Sequence, residues 1–315
     1  MLKIKQLYLK NYCGYKDAFF DFTRTDGFKP ISVFYGPNGC GKSTCLNAID
    51  FLGQAKQFAG RSNDLIFRKM TFHPDYDPTL PHFTKYEEDM TVEAKFDLDG
   101  EEKTVSISSA EKNGEVQGVV RNDLEGFRNV AFIDADNPMN MKRFQLPADR
   151  AELFTDIAET VYGYKVKLGK AVQTFDKKWT PTGNDEIDAA SYKLYEEGKA
   201  GENYTFYQDV TLDKGDAIVH FKSMSDGERK IATLLRNLCD PAVTNRSDII
   251  MIDNIEMHVY FKRHAKMVDK ILTCFPEKQF IVTTHSGILI DHIGETCGTD
   301  CLYDVATIKG QPQLD

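Results

Sequence analysis

No apolar run in the sequence approaches the ~18–20 residues that a membrane-spanning helix requires. The opening Met1-Leu2-Lys3-Ile4-Lys5-Gln6 is charged and alternating, unlike the apolar centre of a secretory leader. We therefore expect no membrane association and a cytoplasmic location. Basic charge is also scarce: 39 Lys and Arg face 48 Asp and Glu, a formal net charge of −9. A chain of that sign is a poor coat for nucleic acid, although a local basic groove is compatible with it. Seven cysteines, at 13, 40, 45, 239, 274, 297 and 301, are odd in number and scattered. Reduced thiols are the simpler reading than a disulfide framework. Cys297 and Cys301 lie near His292, but no second ligand pair follows at finger spacing, so no zinc site is expected. Internal repeats and heptad runs are absent as well, which excludes a long coiled coil.

What is present reads as globular. Of 315 residues, 41% are hydrophobic and 28% charged, and the mean hydropathy is −0.42. Alternating runs at 2–7, 15–22 and 31–35 predict strands, and helical spacing follows over 44–58. Residues 91–98 and 103–108 alternate around Asp99-Gly100, a hairpin signal. A strand is expected at 129–135 and a helix at 149–161. Residues 165–200 are polar, with one helix expected near 185–197. Strands at 204–212 and 216–221 precede a helix from Ser225. Then come strand 248–253, helix 260–274, strand 279–284, helix 286–292 and a last strand around 302–308. The alternation in this final third argues a parallel α/β core.

Three segments carry chemistry. Gly36-Pro37-Asn38-Gly39-Cys40-Gly41-Lys42-Ser43 fits G-x-x-x-x-G-K-[ST] between an apolar strand and an amphipathic helix. Its glycines allow backbone N–H groups to face a β-phosphate. Lys42 brings charge to the β/γ oxygens, Ser43 can ligate Mg²⁺, and Thr44 reaches the α-phosphate. Cys40 and Cys45 flank the loop at a helix N-terminus, which lowers thiol pKa; small residues that merely fit are the simpler reading. Asp248-Ile249-Ile250-Met251-Ile252-Asp253 is an apolar strand ending in a carboxylate, a Walker B pattern with Asp253 near Mg²⁺. A second buried strand ends at His285, placed to touch a γ-phosphate. Finally, Ser225 and Glu228 form a capping box, and the same helix start, with Gly227, is an anion site able to face ATP on another subunit.

In this order and spacing the motifs resemble ABC-type ATPase heads, in particular the SMC, RecF and OLD-like branch. The resemblance covers nearly the whole chain. Residues 2–22 resemble that branch's N-terminal strands. Leu46-Asn47-Ala48-Ile49, Leu52-Gly53, Arg61 and Asp64-Leu65-Ile66-Phe67 resemble the SMC segment after the phosphate loop, which would make Arg61 its R-loop arginine. Met224-Ser225-Asp226-Gly227-Glu228 resembles the ABC signature, Asp253-Asn254-Ile255-Glu256-Met257-His258 the OLD-type Walker B and D-loop, and His285 the switch histidine. The resemblance implies ATP and Mg²⁺ as cofactors, with residues 38–44 on the phosphates and Ser43 and Asp253 on the metal. It implies a homodimer, head to tail, with Ser225 and Gly227 of one chain closing on the ATP of the other.

The implied fold is α/β: a P-loop core with a mostly parallel sheet, a flanking antiparallel section and a helical lobe. Residues 1–150 would form the phosphate-loop lobe, 151–222 a mainly helical lobe, and 223–315 the signature, Walker B and switch-histidine lobe. Two positions depart from the family pattern. Asn254 stands where the family has its catalytic Glu, and an amide cannot take a proton from water, so hydrolysis should be slow. Glu256 is the nearest substitute, but two residues on in a turn it is expected to point elsewhere. The Q-loop residue is open among Asp134, Asp136 and Gln145. The spacing from phosphate loop to signature leaves no room for SMC coils, and too few residues follow His285 for an OLD-type nuclease domain. A compact head acting on a separate effector, a nuclease or toxin, is therefore expected, in the manner of bacterial antiphage ATPases. The alternative is a RecF-like DNA repair clamp, supported by Arg61, Lys3, Lys5 and Lys10. A transporter subunit or a metabolic P-loop kinase fits these motifs less well.

Overall fold

The computed structural model describes residues 1–53, 55, 90–112, 115–124, 130–135, 146–175 and 204–309. The strands, in chain order, are β1 (Leu2–Tyr12), β2 (Tyr15–Asp21), β3 (Thr23–Arg24), β4 (Gly27–Phe28), β5 (Ile31–Tyr35), β6 (Thr91–Leu98), β7 (Glu101–Lys112), β8 (Glu115–Asn122), β9 (Val130–Asp134), β10 (Lys165–Phe175), β11 (Tyr204–Asp213), β12 (Ile218–His220), β13 (Ile249–Asp253), β14 (Gln279–Thr284) and β15 (Leu302–Asp304). The principal helices are Lys42–Gly53, Ala148–Tyr162, Asp226–Cys239, His264–Cys274 and Gly287–Thr296.

A parallel sheet of order β15-β5-β14-β13-β9 forms the centre. Its central strands β5, β14 and β13 are buried on both faces, as a sheet covered on both sides requires. The period of two separates those faces cleanly. Phe34, Ile249, Met251 and Ile281 pack with the helix Lys42–Gly53 and the antiparallel β2-β1-β6-β7-β8 sheet. Ile31, Val33, Ile250, Ile252, Phe280 and Val282 pack on the opposite side, against residues of the helices Ala148–Tyr162, Asp226–Cys239 and His264–Cys274. A buried amide ties the two sheets. Gln279 accepts from the Ile4 N–H at 2.9 Å and donates to the Ile4 carbonyl at 3.0 Å, beside the register shift between Ile4 and Gln6. Removing that amide would leave two buried backbone groups unpaired.

Two segments depart from the sequence reading. Residues 165–175 form β10, which pairs with β11 in a three-stranded antiparallel sheet completed by β12. The described part of 151–222 is therefore a helix followed by a sheet, rather than mainly helix. Alternation exists in Lys165-Val166-Lys167-Leu168, but a register shift between Leu168 and Ala171 interrupts it. The helix expected near 185–197 lies outside the described residues. The last strand is also shorter than 302–308. Asp304 accepts from the N–H groups of Ala306 and Thr307 and so starts the short helix Val305–Ile308.

Candidate functional site

Three neighbouring strands bring the chemistry to one edge. β5, β14 and β13 lie side by side and parallel. The glycine loop, His285 and the Asp253 turn therefore all leave the sheet at its C-terminal edge, where open α/β sheets place their ligands.

The loop turns through Gly36, Gly39 and Gly41 at φ +139°, +76° and +108°, a backbone region that favours glycine. Asn38 and Gly39 are exposed at its crest, and Cys40 is buried under it. Ser43 and Thr44 open the helix Lys42–Gly53, whose first N–H groups have no partner within the helix. Lys42 is only 5% exposed. Its Nζ donates to the carbonyls of Gly36 at 3.1 Å and Pro37 at 3.0 Å, and lies 3.5 Å from Nδ1 of His285. Burial pushes the Lys42 pKa below its ordinary value, while Cys40, Asp253 and Glu256 act in the opposite sense. An ammonium so placed gains from an arriving anion. Burial and then the Lys42 charge likewise hold the His285 imidazole below its usual 6.5.

The Ser43 hydroxyl donates to Oδ1 of Asp253 at 2.9 Å. Thr283, fully buried on β14, donates to the same oxygen and accepts from the Asn254 N–H at 2.8 Å. Asn254 has φ +52°, a conformation that asparagine tolerates better than most side chains. Glu256 is engaged at the histidine turn. Its Oε2 accepts from the Thr284 hydroxyl at 2.7 Å and its Oε1 from the His285 N–H at 2.7 Å. The cause is the turn itself. Ile255 N–H bonds to the Thr283 carbonyl at 3.1 Å and Met257 N–H to that of Asn254 at 2.9 Å, which folds residue 256 back over the end of β14. Both carboxylate oxygens brace the His285 turn.

A hydroxyl and a carboxylate in contact, Ser43 and Asp253, are hard oxygen ligands of the kind Mg²⁺ takes. Among the described residues no group of three His, Cys, Asp or Glu could hold a metal. Mg²⁺ draws one or two ligands from protein and the rest from water and phosphate. These residues therefore fit the ion, which would neutralise phosphate charge here. Asp134 ends β9 in register with Asp253; Asp136, Gln145 and Arg61 lie outside the described residues.

Ser225 and Gly227 are not joined to the loop. Ser225 caps the helix Asp226–Cys239 through the expected capping box with Glu228. Gly227 packs on His258, where an added Cβ would stand 3.3 Å from the histidine's Cβ. The thiol reading of the loop fails for Cys45. Burial pushes its pKa up to about 12, and the Tyr15 hydroxyl lies 2.9 Å away. Four residues at the site escaped the sequence reading: Thr283, Thr284, Tyr15 and Lys309. The Thr-Thr pair before His285 was a usable signal, since buried strand hydroxyls need partners. Away from the site, Lys3 donates to the Glu277 carbonyl and Lys5 pairs with Glu102, so two of the lysines behind the DNA reading are engaged within the chain.

A family model described as "RecF/RecN/SMC N terminal domain" matches residues 3–301. The SMC head domain from Thermotoga maritima superimposes with a TM-score of 0.54 over 92% of each chain, at 17% identity, a likeness of fold. The Septu protein PtuA of Bacillus mycoides is 21% identical across 90% of this chain. The Retron Vc95 probable ATPase of Vibrio cholerae is 27% identical across 27% of it. The chain spans 38% and 18% of the lengths of these two relatives, respectively.

Proposed function

The chain belongs to the RecF/RecN/SMC N-terminal domain family, and from that premise we propose that it is an ATP-binding, slowly hydrolysing head that dimerises around ATP and controls a separate effector. The observation that carries this reading is the Ser43–Asp253 contact, with Lys42 and His285 converging on the same edge. Residues 38–44 would cradle the phosphates, Lys42 and the helix start supplying positive potential. Ser43 and Asp253 would hold Mg²⁺. His285 would donate a hydrogen bond to the γ-phosphate, and Glu256 would keep it there. Ser225 and Gly227, at the start of the helix Asp226–Cys239, would be offered to a second copy. The head is taken as three lobes, 1–150, 151–222 and 223–315, with ATP between the first of one copy and the last of the other.

Asn254 occupies the general-base position and cannot accept a proton, which favours a long-lived bound state. A slow switch suits a guard on a nuclease or toxin. Kinship with a Septu protein and a retron ATPase favours antiphage defence as its setting. The DNA-clamp reading is weaker, because Lys3 and Lys5 are engaged within the chain. Purification from the native host with Mg²⁺ and ATP is the test. Wild type should retain a stoichiometric nuclease- or toxin-like protein, and Lys42→Ala should not. DNA with recombination proteins in place of such an effector would overturn the defence reading.

A further inference from the structure

Two side chains from distant parts of the chain grip the glycine loop from behind. Lys309, just past the helix Val305–Ile308, donates from Nζ to the Cys40 carbonyl at 2.9 Å. Tyr15, fully buried at the start of β2, donates its hydroxyl to the Gly41 carbonyl at 2.8 Å. The two also hold each other, with the Lys309 ammonium 4.4 Å from the centre of the Tyr15 ring. Among the described residues, the groups facing that ammonium are this ring, the Cys13 and Cys40 carbonyls and the thiols of Cys13, Cys40 and Cys45. None of them is a carboxylate.

The geometry has a directional consequence. A trans peptide unit is planar, with its C=O and N–H on opposite sides. The Cys40 carbonyl shares its plane with the Gly41 N–H, and the Gly41 carbonyl with the Lys42 N–H. Pinning both carbonyls inward turns both N–H groups outward, where successive N–H groups form an anion-binding concavity. Gly41 leaves room for the grip: an added Cβ would stand 2.9 Å from Lys309 Nζ and 3.3 Å from the Tyr15 hydroxyl.

We propose that Lys309 and Tyr15 are positioning residues for the nucleotide phosphates: they lock the Gly41 and Lys42 N–H groups into the binding orientation, and Lys309 adds positive charge behind them. This rests on the ATP reading above, and the test separates the two. Isothermal titration of wild type with MgATP comes first, and absence of binding would sink the ATP reading itself. Given binding, Lys309→Met should weaken ATP affinity about tenfold, or about 1.4 kcal/mol. Tyr15→Phe keeps the ring, loses only the hydroxyl, and should weaken it severalfold. In both, single-turnover hydrolysis at saturating ATP should keep the wild-type rate, because the lost interaction serves phosphate binding in ground and transition states alike. Wild-type affinity in both variants overturns the inference. So does a lower saturated rate accompanied by loss of the ligand-free fold in Tyr15→Phe, which marks a purely structural role. If Lys309→Met does not fold, Tyr15→Phe decides alone.

Discussion

Asn254 joins two properties that local sequence reading treats separately. On the proposed reading its type removes a base from the reaction, and its φ of +52° suits the turn it occupies. Asn254→Glu should restore a proton acceptor and raise turnover on the order of 10²-fold, against a backbone cost of about 1–2 kcal/mol at that conformation. Steady-state phosphate release measures this, and unchanged turnover would refute the latch reading. His285 gives a pH prediction. Its folded pKa lies below 6.5, so below that pH the unfolded chain takes up a proton that the folded chain resists. Stability from this group is full above 6.5 and falls as the solution is acidified. His285→Asn should flatten that acid slope, read as urea midpoints at pH 7.5 and 5.5; an unchanged slope would contradict the assignment. Motif residues were legible because their spacing is local. Glu256 was not: its direction depends on hydrogen bonds to Thr284 and His285, some 28 residues away.

At the scale of elements, the helix Asp226–Cys239 is where a bland and a functional role coincide. Ser225 caps it and, in the proposed dimer, would also face the partner's ATP. Ser225→Asp separates the roles. Aspartate caps as well as serine but loses the hydroxyl's donation to Glu228 Oε2, so the melting temperature should fall modestly while the monomer stays folded. Its charge would repel a γ-phosphate, so assembly with ATP should fail while the monomer still binds nucleotide. Normal assembly of this variant would remove Ser225 from the interface. The strands β5, β13 and β14 were readable because strands buried on both faces are continuous apolar runs. β10 was not, because lysines alternate along it and its register shifts after Leu168. The end of β15 was missed because Asp304, a residue type at home in several contexts, acts there as a helix cap.

The whole molecule depends on an arrangement that no local pattern encodes. Strand order β5-β14-β13 sets Ser43 against Asp253, 210 residues apart. The same packing brings Lys309 beneath a loop 269 residues earlier. Such pairings follow from which faces must be buried, and sequence spacing is silent on them. The central claim is that ATP selects a two-copy state of this head. The most direct measurement is the solution mass by light scattering, with and without MgATP. The account predicts 35.8 kDa without nucleotide, twice that mass with MgATP, and slow return as hydrolysis proceeds. An unchanged mass at an ATP concentration shown by titration to saturate the site would contradict it.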